Sequence, residues 1–221
     1  MNTLIKIVKG AKPQILKEHA QQWTADYLTA LEKIGSAPDS IKNRYQNPEI
    51  KAALITETHG KCAYCESKIK AVSYGDIEHI LPKNKNARPD LFAEWTNLTL
   101  ACEICNRTNK KNYYNPDDPL INPIEDDPSD FLIAFGPFFC QSPGQRKGAL
   151  TIKILDLNRT DLVERRKEKI EKLLPLIDLW KNETNATYKA LLFSQIKQES
   201  EANSEYSFTI NTYLECIGFY E

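Results

Sequence analysis

Two pairs of cysteines share one internal spacing and could together hold a metal ion. The first pair lies in the segment CAYC at residues 62–65 and the second in CEIC at residues 102–105. Two intervening residues let both sulfurs of a turn face one point, and two such turns complete a tetrahedral site of four thiolates suited to zinc. Protein fills every ligand position, so the spacing predicts a structural zinc ion. The predicted ligands are Cys62, Cys65, Cys102 and Cys105.

Two other uses of these cysteines fit the sequence less well. A redox dithiol needs one pair of cysteines, whereas this chain has two such pairs. A disulfide framework is disfavoured in the cytoplasm, where we expect the protein to act. That expectation rests on the amino-terminal segment MNTLIKIVKGAKPQ, which has no apolar run long enough for a secretory signal. No stretch of about eighteen consecutive apolar residues occurs either, so no membrane association is predicted.

Three segments in and beside the loop that zinc would close resemble a known enzyme family. The segments DIEHILPK, WTNLTLACEICN and RTNKKN resemble the HNH endonucleases that carry zinc knuckles. The resemblance covers residues 61–112, about a quarter of the chain. It implies a two-stranded hairpin and a helix that grip one divalent cation. It also implies that His79 is the general base and that Asn97 braces the hairpin loop.

The chemistry of His79, one of three histidines in the chain, agrees with that role. Hydrolysis of a phosphodiester needs a base to deprotonate water and a cation to neutralise the charge that develops on the phosphate. An imidazole titrates near neutral pH, so His79 can take that proton without extreme tuning. The predicted catalytic residues are His79, Asn97 and Asn106.

The predicted ligands of the catalytic cation carry oxygen atoms. If a helix starts at the second cysteine pair, Asn106 can offer a carbonyl oxygen to the cation, and Lys110, four residues later on the same face, can reach a phosphate. Glu78 offers a carboxylate, and Asp76, on the same face of the strand, is a secondary ligand candidate. The chain has Asn106 where the family name has its last histidine. Carboxylate and amide oxygens favour Mg²⁺ or Mn²⁺ over zinc.

Local positive charge accompanies this site, although the net charge of the chain is −1. Residues 59–115 carry nine basic and six acidic side chains, whereas residues 116–130 carry six acidic side chains and no basic one. Phosphate contacts position a nucleic acid without reading its sequence, and no pattern of a base-reading domain is present. The predicted nucleic-acid-binding residues are Lys83, Lys85, Lys110 and Lys111.

The alternative is a zinc-braced nucleic-acid- or protein-binding module without catalytic activity. Such a module would also have two cysteine pairs and basic residues, and an isolated Glu-His pair is more often a surface ion pair. The four cysteines, Glu78-His79, Asn97 and Asn106 occur together and in one order, which favours the nuclease. We therefore predict a metal-dependent HNH endonuclease that hydrolyses nucleic acid, DNA rather than RNA.

The flanking segments narrow the resemblance. The segments IKIVKGAKPQIL, LINPIEDDPSDFL and LTIKILDLNRTDLVERR resemble the PtuB-type HNH proteins of Septu and retron-associated antiphage systems. This resemblance spans most of the chain. It implies a bacterial defence effector that works with an ABC/SMC-like ATPase of the PtuA type. In retron systems it also implies a reverse transcriptase and its RNA as partners.

The pattern along the chain predicts an α+β fold, in which a small ββα-metal HNH core with a four-cysteine zinc site is embedded in a mainly α-helical shell. We divide the chain into an N-terminal helical region (1–60), the zinc-knuckle HNH nuclease core (61–115), and an extended acidic arm followed by C-terminal strands and helices (116–221). The arm is too rich in proline to be a helix. The arm and the C-terminal helices are candidate docking surfaces, with ordinary core packing as the alternative.

Hydrophobic periodicity and capping residues predict the individual elements. Pro13 and Gly35 bound one helix, Asn47 caps a second helix that starts at Pro48, and Asn158 caps a long charged helix. The predicted segments are a helix over 13–34, a strand over 71–81, strands over 131–135 and 149–155, a helix over about 159–181, and one or two helices within 184–220.

Overall fold

The computed structural model describes residues 6–69 and 75–220. The fold is α+β and rich in helix, as the sequence predicts. The described α-helices are α1 (Gln14–Ile34), α2 (Asp39–Lys42), α3 (Pro48–Glu57), α4 (Arg146–Leu155), α5 (Thr160–Asn182), α6 (Ala186–Gln198) and α7 (Ser207–Cys216). The strands are β1 (Asp76–His79), β2 (Leu98–Ala101), β3 (Leu132–Phe135) and β4 (Phe138–Gln141), and a π-helix spans Ile104–Lys110.

Capping residues set the ends of the first long helices. Helix α1 begins directly after Pro13 and ends at Gly35, whose left-handed backbone (φ 78°) lets its N–H donate to the Leu31 carbonyl at 3.0 Å. At the start of α3, the side-chain oxygen of Asn47 accepts a hydrogen bond from the Glu49 N–H at 2.8 Å. Both predicted helices are confirmed.

A two-stranded hairpin lies at the centre of the region predicted to be the nuclease core. Strands β1 and β2 pair antiparallel, with Asp76 opposite Ala101 and His79 opposite Leu98. All four residues of β2 are buried, and α3 packs against this strand. Of the strand predicted over 71–81, the first four residues lie outside the described residues. The Ile80 N–H still donates to the Asn97 carbonyl at 2.9 Å, but the Asn97 N–H donates to the Glu94 carbonyl at 3.0 Å and not back to β1, so the ladder ends there.

The strand predicted over 149–155 is wrong, because this segment lies within helix α4. Its β-branched residues favour a strand by propensity, but packing overrides that preference. Gly148, Thr151 and Leu155 are buried at helical spacing. A Cβ at Gly148 would lie 2.0 Å from the Phe131 carbonyl oxygen, so glycine allows α4 to approach that backbone closely. The neighbouring strand β3, in contrast, lies where the sequence predicts it.

The long charged helix is present as α5, but its predicted cap is wrong. Arg159 occupies the N-cap position and makes no side-chain capping bond. The Asn158 side chain instead accepts from the Phe139 N–H and donates to the Phe139 carbonyl, each at 2.8 Å. The Asn158 side chain therefore pairs with the backbone of β4, as a neighbouring strand would. It is not available to cap α5.

A buried ion pair fastens the first cysteine pair to the C-terminal helices. Lys61 Nζ lies 3.2 Å from Glu66 Oε1 and also donates to the Ser204 carbonyl at 3.0 Å. The same carboxylate accepts from the Ser207 hydroxyl at 2.7 Å and from the Phe208 N–H at 3.1 Å. Helix α7 therefore begins against the cysteine-rich turn, although more than a hundred residues separate them in the chain.

The C-terminal helices also have an apolar core of their own, to which α5, α6 and α7 contribute. The acidic arm contains no α-helix among its described residues, and only a short 3₁₀ turn forms at Pro128–Asp130. It lies on the amino-terminal segment, where the Ile7 N–H donates to the Pro123 carbonyl at 2.7 Å. The buried residues of the C-terminal core are Ile170, Leu173, Ile177, Ile196, Ile210, Leu214 and Phe219.

Within residues 6–69 and 75–220, none of the helices combines the length and the apolar character that crossing a bilayer requires.

Candidate active site and metal centre

The four predicted zinc ligands converge on one point. Their Sγ atoms all lie within 4.8 Å of one another, and all four residues are buried. The Sγ atoms of Cys65 and Cys102 are 3.8 Å apart. A tetrahedral site with Zn–S bonds of about 2.3 Å has edges of about 3.8 Å between its sulfurs. The donor set and its spacing therefore fit zinc, with protein in all four positions.

Backbone hydrogen bonds fold the first cysteine pair into its turn. The Glu66 N–H donates to the Cys62 carbonyl at 3.0 Å, and Glu66 adopts a left-handed backbone conformation (φ 62°). The Ala63 N–H donates to the Leu100 carbonyl at 2.9 Å, which attaches the turn to β2. The second pair starts directly after β2. One strand thus positions both halves of the cluster.

Two arginines supply positive charge beside the cysteines. Arg159 Nη1 lies 3.8 Å from Cys105 Sγ, and negative charge on Cys105 and Cys65 raises the pKa of Arg159 against the opposing effect of burial. Arg166 is fully buried, and its burial lowers its pKa to about 10. Four thiolates around one zinc ion carry a net charge of about −2, which these cations offset. Sequence reasoning missed both residues, because nothing in the segment NRTDLVERR marks them as neighbours of the cysteines.

His79 is buried at the end of β1, and one contact fixes its protonation. Its Nε2 lies 2.8 Å from the Phe92 carbonyl oxygen. A carbonyl can only accept, so Nε2 carries the hydrogen and Nδ1 carries the lone pair. Burial, followed by the positive charge of Lys83, lowers the pKa of His79 to about 3. The imidazole is therefore neutral at physiological pH, and its pKa lies far below the near-neutral value that the sequence suggests, because the ring is buried.

Aromatic rings hold the imidazole in place. Tyr45 meets the ring of His79 edge-on with centroids 4.6 Å apart, and Phe92 stacks at 6.2 Å. Both residues lie far from His79 in the chain, and sequence reasoning did not identify either of them. The periodicity of the helices around Tyr45 could only have suggested a core position. The surrounding rings leave the imidazole little rotational freedom.

Asn97 connects the two ends of the loop between the strands. Its side-chain oxygen accepts from the Leu81 N–H at 2.8 Å, and its amide donates to the Leu81 carbonyl at 2.9 Å. Its own backbone carbonyl accepts from Ile80. These hydrogen bonds hold the two ends of the loop together, and the catalytic role that the resemblance implies for Asn97 stays a prediction.

Two carboxylates of β1 face the π-helix, and each meets a different partner there. Asp76 accepts from the Asn106 amide at 3.1 Å and from two nitrogens of Arg107 at 2.8 and 2.5 Å. Glu78 is buried and accepts from Lys110 Nζ at 2.5 Å. Burial raises the pKa of Glu78, while the positive charge of Lys110 acts in the opposite direction.

These contacts change how the predicted cation ligands are grouped. We expected Asn106 to work with Glu78, but Asn106 faces Asp76, the secondary candidate, because residues 76 and 78 meet successive turns of the π-helix. A cleft of about 550 Å³ opens at Asp76, Asn106 and Arg107. Among the described residues, only the four cysteines form a convergent group of three or more His, Cys, Asp or Glu side chains. The oxygen donors on this face that a hard cation could use are the Asp76 carboxylate and the Asn106 amide at the cleft, with the buried Glu78 carboxylate two residues further along β1.

The four lysines predicted to bind nucleic acid lie in different environments. Lys83 is half-buried, and its Nζ donates to the Tyr45 hydroxyl at 3.2 Å. Lys85 and Lys111 are exposed. Lys110 is buried and donates to the His79 carbonyl at 3.0 Å as well as to Glu78. In this conformation Lys110 therefore organises the hairpin, and its predicted contact with a phosphate stays a prediction.

Comparison with known proteins places the chain among nucleases. The profile of the HNH endonuclease family matches residues 62–112. A Septu protein PtuB from Bacillus thuringiensis is 34% identical over 181 residues, covering 76% of this chain and 68% of that protein. A Septu protein PtuB from Bacillus mycoides (strain KBAB4) is 30% identical over an alignment of 247 positions, covering 98% and 83%. A Vibrio cholerae protein named "Retron Vc95 putative HNH endonuclease" is 29% identical over 153 residues, covering 62% and 73%.

The family match falls on the part of the chain that builds the site. Residues 62–112 contain both cysteine pairs, the hairpin and the π-helix. The matches to the two PtuB proteins extend well beyond this core, into the helical parts of the chain. The chain therefore belongs to the Septu PtuB family, and its core is an HNH endonuclease domain.

Proposed function

We propose that this endonuclease hydrolyses DNA with Mg²⁺ or Mn²⁺ in the bacterial cytoplasm, as the effector of an antiphage defence system that includes an ABC/SMC-like ATPase. The orientation of His79 carries the proposal of hydrolysis. Its Nε2–H is held by the Phe92 carbonyl, so Nδ1 carries the lone pair that would take a proton from water. Burial and Lys83 lower the pKa of His79 to about 3, so the ring is neutral at pH 7 but is a weaker base than a free imidazole. The negative charge of a bound phosphate would raise this pKa.

The cation face of the proposed site consists of Asp76, Glu78 and Asn106. A divalent cation held there would neutralise charge on the phosphate and on the leaving oxygen. Oxygen ligands of this kind suit Mg²⁺ or Mn²⁺. Arg107 and Lys110, which pair with the two carboxylates, add positive charge next to the phosphate position. Asn97 keeps the loop after His79 in register.

The proposed partners rest on the relatives. Two of these relatives are named Septu proteins and the third is named for a retron, which supports a role in a multi-component defence system. An ABC/SMC-like ATPase is the partner that we propose for a Septu-type system, and a reverse transcriptase with its RNA for a retron-type system. The acidic arm, with six acidic side chains over residues 116–130, is one surface on which such a partner could dock.

The direct test is a cleavage assay on a panel of substrates. Zinc-loaded wild-type protein and His79→Ala are incubated with duplex DNA, single-stranded DNA and tRNA in Mg²⁺ or Mn²⁺, alone and with the candidate ATPase. We expect cleavage by the wild type and a loss of about 100-fold or more in the variant, since a positioned base contributes at least this much. Equal zinc content and equal thermal midpoints would show that the variant is folded.

The outcomes separate the proposal from its alternatives. Cleavage of tRNA alone would replace DNA by RNA as the substrate. Cleavage that needs the ATPase would support the effector role. If wild type and His79→Ala are equally inactive on every substrate with the partner present, the zinc-braced binding module is the better account.

A further inference from the structure

A second cleft borders the loop after β1, and its walls come from three parts of the chain. Its volume is about 660 Å³. The end of α1 and the loop after it form one wall, residues 83–86 form a second, and Asn112 and Tyr114 form a third. The predicted function assigns only Lys83 and Lys85 of these residues.

The lining of the cleft is basic and carries no acidic side chain. Its three charged residues are Lys42, Lys83 and Lys85. Lys85 is exposed and has no ion-pair partner among the described residues, and the Lys83 ammonium binds a tyrosine hydroxyl rather than a carboxylate. Lys42 pairs with Asp39, which is largely exposed and outside the lining. Two of the three lysines thus have no carboxylate partner among the described residues, and a surface of this kind suits a polyanion.

The cleft is connected to the proposed general base through direct contacts. The Tyr27 hydroxyl donates to the Lys83 carbonyl at 3.2 Å, which fixes the loop at the cleft wall. The Lys83 ammonium lies 4.5 Å from the centroid of the Tyr45 ring, and the same ring meets His79 edge-on. Lys83 thus joins the cleft to the ring that packs on His79, so a strand bound in the cleft would lie beside the proposed active site.

The amide and aromatic side chains of the cleft favour a single strand over a duplex. Asn84, Asn86 and Asn112 can donate to and accept from base edges, and Tyr114 offers a partly exposed ring in the same cleft. Proteins that bind single strands combine a basic groove with aromatic rings on which bases stack. Paired bases in a duplex would not reach a concave lining of this kind with their faces.

We propose that this cleft binds a single-stranded stretch of the nucleic-acid substrate beside the bond to be cut. Lys42 and Lys85 contact backbone phosphates, and the ring of Tyr114 stacks on a base. The inference rests on the proposed nuclease function and adds to it the strand state of the substrate. It identifies Lys42, Asn112 and Tyr114 as binding residues.

Binding of a labelled oligonucleotide tests the assignment. All proteins carry His79→Ala and are zinc-loaded, and the probe is fluorescein-labelled single-stranded DNA or the same sequence as a blunt duplex. Dissociation constants are measured by anisotropy over a series of salt concentrations for Lys42→Gln/Lys85→Gln and for Tyr114→Leu. The matched controls are Lys172→Gln/Lys181→Gln and Tyr188→Leu, whose residues are exposed or partly exposed on α5 and α6, outside the cleft.

Each cleft variant has its own expected result. Loss of two phosphate contacts lowers the slope of log affinity against log salt by about 1.4 for a single strand. Loss of the stacking ring weakens single-strand binding by about five-fold or more and leaves that slope unchanged. The control variants bind as their parent does, and duplex binding changes less than single-strand binding in both cleft variants.

Single-strand binding that is unchanged in both cleft variants would overturn the inference, as would an equal or larger loss for the duplex. A cleavage assay on the same cleft variants, made in the protein that keeps His79, separates a failure of the cleft assignment from a failure of the proposed function. If the wild type cuts nucleic acid and the cleft variants bind and cut like the controls, only the cleft assignment fails. If the wild type neither binds nor cuts any nucleic acid, the proposed function fails and the cleft assignment with it.

Discussion

The four-cysteine cluster and the face between β1 and the π-helix are both suited to a metal ion, but they differ in how far the protein prepares them. The cysteines are buried and already within 4.8 Å of one another. On the other face, Asp76 is engaged by Arg107 and Glu78 by Lys110. A cation arriving there has to compete with two protein cations for its ligands.

This difference separates a metal that belongs to the fold from one that belongs to the reaction. Soft thiolates gathered in a buried site bind zinc tightly and couple its binding to folding. Carboxylates that are already paired with protein cations bind a hard cation weakly and exchange it. The first site can therefore be expected to hold its ion permanently, and the second to exchange its ion with the solution.

Of the changes that test this difference, removal of zinc should have the largest effect on stability. Zinc binding is worth about 10 to 16 kcal/mol in small zinc-dependent domains, so Cys65→Ala or chelation should unfold the core around β2. Thermal unfolding and metal analysis measure the result. Cys140→Ser is the control, since Cys140 is exposed and outside the cluster. A zinc-free protein that keeps its native melting temperature would show that the cluster is dispensable.

Breaking the buried pair on the zinc side should have the next largest effect. Lys61→Met leaves the Glu66 carboxylate buried without its cation, which should cost about 3 to 5 kcal/mol of unfolding free energy in urea. The cleavage rate per folded molecule should stay near that of the wild type. Lys167→Met, which removes an exposed pair on α5, should change stability by less than about 1 kcal/mol. Equal effects of the two changes would contradict a stabilising role for the buried Lys61–Glu66 pair.

The pH dependence of stability tests the buried state of His79. Its folded pKa of about 3 lies below its ordinary value of 6.5, so the unfolded chain binds more protons between these values. The contribution of His79 to the free energy of unfolding is therefore fully present above pH 6.5 and is lost as the pH falls below that value. We expect a loss of about 1.4 kcal/mol between pH 7.5 and pH 5.5 that is absent in His79→Asn.

Denaturant unfolding at the two pH values, with zinc present throughout, measures that difference. His19→Asn is the control, because His19 is about half exposed on α1. If the wild type and His79→Asn lose the same stability over this range, the imidazole is not held in its neutral form by burial.

Release of Asp76 from its arginine should have the smallest effect. Arg107→Gln removes a competitor for the carboxylate, and because exposed ion pairs contribute about 0.2 to 1 kcal/mol, Mn²⁺ affinity should rise by no more than about five-fold. Arg88→Gln is a matched control, since Arg88 contacts Asp90 in the same two-point manner outside the cation face. Weaker Mn²⁺ binding by Arg107→Gln would mean that Arg107 supports the site instead of competing with it.

The sequence predicts the parts of the molecule that local rules determine. The cysteine spacing predicts the cluster, and Asn47 and Gly35 mark helix ends correctly, because each acts on residues a few positions away. The segment 149–155 is misjudged because its close contact with Phe131, reached through Gly148, outweighs its strand propensity. Such contacts between distant residues are not visible in the sequence.

The candidate site divides in the same way. The positions of His79 and Asn97 follow from short motifs, whereas their partners Phe92, Tyr45 and Leu81 are supplied by the fold. The pairing of Asn106 with Asp76, and of Lys110 with Glu78, depends on the register between β1 and a π-helix. The sequence predicts an ordinary α-helix for this segment, and an α-helix would face β1 in a different register.

Binding of Mn²⁺ to zinc-loaded protein tests most directly the claim that the molecule has two separate metal sites. Electron paramagnetic resonance would measure free Mn²⁺ in titrations of the wild type, Asp76→Asn and Asn106→Ala, with zinc content determined in the same samples. We predict an exchangeable Mn²⁺ on the wild type, a loss of affinity of about ten-fold or more in both variants, and unchanged zinc. Unchanged Mn²⁺ affinity in both variants, with full zinc content, would contradict the assignment of the cation to this face.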